Sequence, residues 1–101
     1  QKVPLVIATT GLEAEQMAAV RESATTIPLL WSPSMSMAVN LAMSLCARAG
    51  AALKDHPSGA DVEIIERHHR FKEDSPSGTA LKFGQIIAAE MGQQREVHGR
   101  E

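Results

Sequence analysis

The sequence predicts an α/β chain: a short strand-helix-strand unit first, then a helix-rich part with one further strand. Three observations point there. Leu5-Val6-Ile7-Ala8 is a continuous apolar run, partly β-branched and closed by Thr9-Thr10-Gly11, as a strand buried on both faces of a parallel sheet requires. Residues 13–25 form an Ala/Glu/Gln/Met-rich stretch with Met17, Val20 and Ala24 three and four apart, the spacing of an amphipathic helix. Two longer periodic segments follow. The chain has 101 residues, enough for one domain and too few for two.

The first strand covers residues 5–8 and the first helix 13–25. Ile27-Pro28-Leu29-Leu30-Trp31 reads as the second strand, with Pro28 tolerable near its start. These three elements make a βαβ unit. A second helix starts at Ser34 or Ser36, either a suitable N-cap, and runs to residue 54. Its polar residues Ser36, Asn40, Ser44 and Arg48 recur every four positions, so a single narrow stripe is polar and the rest is expected to be covered. Asp55-His56-Pro57-Ser58-Gly59 is a turn, and Val62-Glu63-Ile64-Ile65-Glu66 alternates as a third strand does. Asp74-Ser75-Pro76-Ser77-Gly78 breaks regular structure. A last helix over 79–91 carries the stripe Ala80, Phe83, Ile87, Met91. Residues 92–101 are polar enough to fray or to link.

Ten basic residues against twelve acidic ones give a net charge of −2, with no basic run to attract nucleic-acid phosphate or anionic lipid. Neither nucleic acid nor a membrane is expected as a partner. The most apolar window, residues 35–53, contains Asn40, Ser44, Arg48 and Gly50, which suits a covered helix better than a membrane span. One cysteine cannot form an internal disulfide, and with five methionines it suggests a reducing compartment, the cytoplasm by default. The start, Gln1-Lys2-Val3-Pro4, shows neither an initiator Met nor a secretory signal, and reads as that of an excised or incomplete chain.

The densest polar cluster is Glu66-Arg67-His68-His69-Arg70-Phe71-Lys72-Glu73-Asp74, where a strand is expected to end and ligands commonly sit. Two histidines and a lysine supply proton donors usable near neutral pH. On an extended backbone the rings of His68 and His69 point to opposite sides, which would give them different tasks; the plainer reading is a solvated charged junction. A zinc site is disfavoured, because adjacent histidines diverge and Cys46, His56 and His98 follow no ligand spacing. Pro76-Ser77-Gly78-Thr79 opens the last helix, where free amides suit a carboxylate or phosphate, although Ser and Thr there are often plain caps. Its place four residues after the His-His-x-x-Lys cluster suggests a ligand whose carboxylate rests at the helix end while its reactive group faces His68 and Lys72. Thr9-Thr10-Gly11 would lie at the sheet's carboxyl edge, a usual nucleotide contact, but no Gly-x-Gly-x-x-Gly is present. Cys46, Met35, Met37 and Met43 read as core or pocket lining, and Trp31 as packing at a strand end.

The stretch from Glu66 to Ala80, with the pattern E-x-H-H-x-x-K-x-D-x-P-S-G-T-A, closely resembles the signature of the dihydrodipicolinate reductases (4-hydroxy-tetrahydrodipicolinate reductases) of bacterial lysine and diaminopimelate synthesis. Two weaker matches occur in the right order: Ala8-Thr9-Thr10-Gly11 resembles the family's G-T-T-G, and Ser34-Met35-Ser36-Met37-Ala38-Val39-Asn40 its N-F-S-x-G-V-N. The resemblance covers essentially the whole chain but only part of a family member. It implies that residues 1–33 are the end of a Rossmann-like dinucleotide-binding domain, and 34–101 the first half of an α+β substrate domain, with a hinge near 32–36. The glycine-rich loop would precede Gln1, and the strands completing the second sheet and a tetramer interface would follow Glu101.

By the same resemblance His68 would be the general acid/base and Lys72 the proton donor. His69, Ser77, Gly78 and Thr79 would hold carboxylates of a cyclic imine-type dicarboxylate. Ala8, Thr9 and Thr10, with Ser32, Pro33, Ser34 and Met35, would face the nicotinamide end of NADPH or NADH. Ala8 stands where the family has glycine, and Pro33-Ser34-Met35 where it has Ala-Asn-Phe, so the cofactor side is altered more than the catalytic pair. Two classes stay open: a reductase of which this is a part, and a catalytically silent dicarboxylate-binding or assembly module. A glycine-rich strand-to-helix turn encoded upstream would separate them.

Overall fold

A computed structural model describes residues 2–99. The chain is α/β and forms two compact units, one ending at Met35 and the other opening at Ser36.

In the first unit β1 (Leu5–Ile7) and β2 (Leu29–Trp31) pair in parallel, with Leu5 opposite Leu29 and Ile7 opposite Trp31. The crossover carries α1 (Ala14–Ser23). Pro28 has no N–H, yet its carbonyl accepts the Leu5 amide at 3.0 Å, and the Ser32 amide reaches Ile7 O at 3.1 Å. The proline thus sits just before the strand, where only its acceptor is needed. Gln16 Oε1 accepts the Glu13 amide at 2.9 Å at the start of α1. At its end the hydroxyls of Ser23, Thr25 and Thr26 donate to the carbonyls of Ala19, Glu22 and Ser23, taking acceptors that a helix terminus leaves open. The Arg21 guanidinium lies 5.9 Å from the Trp31 ring centroid, a cation–π distance. The expectation that residues 5–8 are buried on both faces is corrected: Val6 is 64% and Leu30 56% exposed. A two-stranded ribbon has nothing among the described residues stacked over those side chains.

In the second unit α2 (Met37–Leu53) packs against α3 (Gly78–Met91). Of the two candidate caps, Ser36 is the one used; its hydroxyl accepts the Val39 amide. Gly50 is buried at the crossing, where an added Cβ would lie 3.2 Å from Glu90 Cβ. Met43, 6% exposed, is the buried apolar side chain of this unit. Gly92 ends α3 with φ +70°, and the bonds Gly92 N to Ala89 O and Gln93 N to Ala88 O close the helix in the Schellman manner.

Two further expectations are corrected here. α2 is covered only on the side facing α3, leaving Met37, Leu41 and Leu45 exposed, Met37 at 86%; Met37 is therefore not core. Residues 62–66 form no strand. Alternation makes a segment competent for a ladder, but among the described residues none is formed with it; Gln93 and residues 95–99 line one cavity with this segment without pairing as a strand. No helix of the described residues is long and apolar enough to cross a membrane.

Candidate functional site

The parallel ladder brings Ala8, Thr9 and Thr10 after β1 to the same edge as Ser32, Pro33, Ser34 and Met35 after β2. Ser32 Oγ donates to Ser34 O at 2.7 Å and Thr9 Oγ1 to Thr10 O at 3.1 Å. Hydroxyls and backbone groups gathered at one strand edge suit an amide such as the carboxamide of a nicotinamide, which needs both donors and acceptors. To that extent the residues fit the group.

The second cluster is built by the segment between α2 and α3. His69 O accepts the Lys72 amide at 3.2 Å, a tight turn that reverses the chain after the two histidines. The Ser75-Pro76 peptide is cis, and Ser77 caps α3 by accepting the Ala80 amide on Oγ at 3.1 Å. Across this turn Glu66 accepts the Ser77 amide at 2.7 Å and also the Ser77 hydroxyl. Glu66, His68, His69, Lys72, Asp74 and Ser75 line one small cavity of about 170 Å³. Both histidines reach it although they are adjacent.

Their partners differ. His68 Nδ1 lies 3.3 Å from Glu66 Oε2, so in the neutral ring the proton belongs on Nδ1 and Nε2 is the acceptor. His69 Nδ1 accepts the Phe71 amide at 3.2 Å, which leaves Nε2–H as its donor. One ring thus presents an acceptor at Nε2 and the other a donor. Lys72 Nζ pairs with Asp74 Oδ1 at 2.6 Å.

The Ser77 hydroxyl first, then its amide, hold the Glu66 carboxyl below the usual carboxylate range; burial opposes them, and His68 and Lys72 add smaller favourable effects. Asp74 is lowered as well, chiefly by its hydrogen bond from Lys72 and then by its own amide, with the Gly78 amide adding a little. An internal carboxylate therefore holds the ammonium, and touches the helix N-terminus, that a ligand carboxylate would use. Ser77 is only 5% exposed and both its donors are spent on Glu66, whereas Gly78 and Thr79 are half-buried. Sequence reading gave no task to Glu66 or Asp74. The available signal was their position two residues from His68 and Lys72, since neighbours at that spacing on extended chain share a side. Cys46 is half-buried on α2 and outside this cluster.

Sequence comparison places the cluster among known proteins. The profile of the dihydrodipicolinate reductase N-terminus matches residues 1–35, and that of the dihydrodipicolinate reductase C-terminus matches residues 38–101. A 4-hydroxy-tetrahydrodipicolinate reductase of Rhodopirellula baltica is 60% identical over 99 residues, 97% of this chain and 35% of the relative. Those of Rubrobacter xylanophilus and Dechloromonas aromatica are 46% and 44% identical over 98% of this chain, which spans 38% and 37% of them. The chain thus spans little more than a third of the curated relatives it matches. With both profiles matched in chain order and the His-His-x-x-Lys turn docked on the capped helix, this chain belongs to the dihydrodipicolinate reductase family.

Proposed function

We propose that this chain is the acid–base segment of a cytoplasmic, homotetrameric oxidoreductase that reduces a cyclic dihydrodipicolinate-type dicarboxylate to tetrahydrodipicolinate in diaminopimelate and lysine synthesis. The observation that carries the reading is the single cavity lined by His68, His69 and Lys72 beside the capped start of α3. In this reading NADPH or NADH, when bound, would supply a hydride to one carbon of the ring's C=C bond that is conjugated with the imine. Ala8, Thr9 and Thr10, with residues 32–35, hold its nicotinamide end.

One substrate carboxylate takes the place of Asp74 at Lys72 and Gly78, gripped also by the Thr79 amide and the His69 Nε2–H. Ser77 contributes through the cap it builds, its own donors being turned to Glu66. Lys72 protonates the neighbouring carbon of that same C=C bond, and His68, with Nε2 open to the ligand, exchanges protons as general acid/base. The test is turnover of dihydrodipicolinate by the full-length protein. His68→Ala and Lys72→Ala should each lower kcat by roughly 10²–10⁴-fold. His69→Ala should act mainly on KM. Near-normal kcat in all three would remove the assignment.

A further inference from the structure

Glu66 ends the alternating run 62–66, and its carboxylate joins two parts of the cluster that are eleven residues apart in sequence. One oxygen accepts the Ser77 amide at 2.7 Å. The other accepts the Ser77 hydroxyl and stands 3.3 Å from His68 Nδ1. Resting on the reductase reading above, we propose that Glu66 is a positioning residue of the reaction: it orients His68 and, through Ser77, fixes the start of α3 against that histidine.

Each half of the role follows from what the contacts leave over. A carboxylate has no proton to give, so the nitrogen facing it is the protonated one, and the lone pair of the neutral ring is left on Nε2. Without Glu66 the ring can turn over or change tautomer, and Nε2 is no longer reserved for substrate. At Ser77 the hydroxyl has one proton, given to Glu66, and a lone pair that takes the Ala80 amide. The serine thus caps the helix and is itself held from outside it. Gly78 and Thr79 begin the helix immediately beyond this cap, so the amides that would grip a carboxylate inherit their position from Glu66.

A plain structural staple would lower stability and impair every ligand together. A positioning residue should separate these effects. In the full-length reductase we expect Glu66→Gln to lower kcat by about 10–100-fold, the usual scale for partners that orient a functional histidine. Glutamine keeps the shape and can accept one Ser77 donor, but it turns an N–H toward the other donors. The NADPH dissociation constant should stay as in the unsubstituted enzyme, and the melting temperature should fall only modestly, with the protein still fully folded at the assay temperature. Glu66→Ala should also raise KM, because the cap is then released. Ser77→Ala provides a second route: if both residues act as one strut, the losses in kcat/KM for Glu66→Gln and Ser77→Ala should not multiply in the double variant. Unchanged kcat and KM in Glu66→Gln, equal losses for substrate and NADPH, or fully multiplicative losses would each overturn the proposal while leaving the reductase reading standing. An unsubstituted enzyme that fails to reduce dihydrodipicolinate would overturn both.

Discussion

At the scale of single residues, the site is organised by two carboxylates, Glu66 on the Ser77 cap and beside His68, and Asp74 on Lys72. Both Glu66 and Asp74 have lowered pKa values, which fixes the sign of their linkage to pH. A depressed carboxyl stabilises the fold fully above its unfolded pKa, about 4, and the contribution disappears as pH falls through the lowered folded value. The order of the 66–78 turn should therefore weaken on acidification below pH 4, not on raising pH from neutrality. Circular dichroism of α3 between pH 5 and pH 2 checks this, and the loss should be smaller in Glu66→Gln; an identical loss would show that the Glu66–Ser77 bonds are not what titrates. Gly78 gives a second residue-level prediction, because a side chain there would fill the approach to the helix amides. Gly78→Val in the full-length enzyme should weaken pyridine-2,6-dicarboxylate, a planar analogue of the proposed substrate, and leave nucleotide affinity unchanged. Equal losses for both ligands would reduce the turn to a simple cap.

At the scale of elements, what was legible in the sequence is what local signals decide. The Leu5–Ile7 and Leu29–Trp31 strands and all three helices sit where apolar spacing and capping residues put them, because those signals act within a few residues. Residues 62–66 carry the alternation of a half-buried strand, which the continuously apolar observed strands lack, yet form none, since ladder pairing is not reported by any local pattern. The cover over α2 was misread for the same reason: Met37, Leu41 and Leu45 declare an apolar face without declaring what meets it. In the site, the His-His-x-x-Lys spacing and the Ser77 cap were visible, while the Glu66–Ser77 bonds depend on a reversal of the chain between them. Two glycines make the helix pair testable. Gly92→Ala should cost about 1–2 kcal/mol, because a side chain must then adopt the left-handed conformation. Gly50→Leu should cost about 1–3 kcal/mol by overpacking the approach to Glu90 and Met91. Gly50→Ala should stay near neutral, its helical gain offset by a shift of a few tenths of an ångström. Thermal melts of the three variants rank them, and a Gly50→Leu chain as stable as the original would mean that α2 and α3 do not meet as described.

At the scale of the whole molecule, the 101 residues hold the carboxyl edge of β1 and β2 but no Gly-x-Gly-x-x-Gly turn to cradle a pyrophosphate. Most polar contacts of a dinucleotide come from such a turn, while the ordering cost of binding remains. Titration calorimetry of the 101-residue chain with NADPH or NADH should therefore show no binding in the micromolar range, and such binding would mean that the pyrophosphate is held by residues not recognised here. The parallel ladder has a consequence of its own. It is three residues long, continued by one bond at each end, and water reaches the side chains over it. Its amides are separated from deuterium by very little work, so in an exchange experiment on this chain Leu5 and Ser32, whose amides bond at its two ends, should label within the first time points. The amides of α2 around Met43 and Gly50 should be the last to do so, and the order of labelling would map where the chain's cohesion resides.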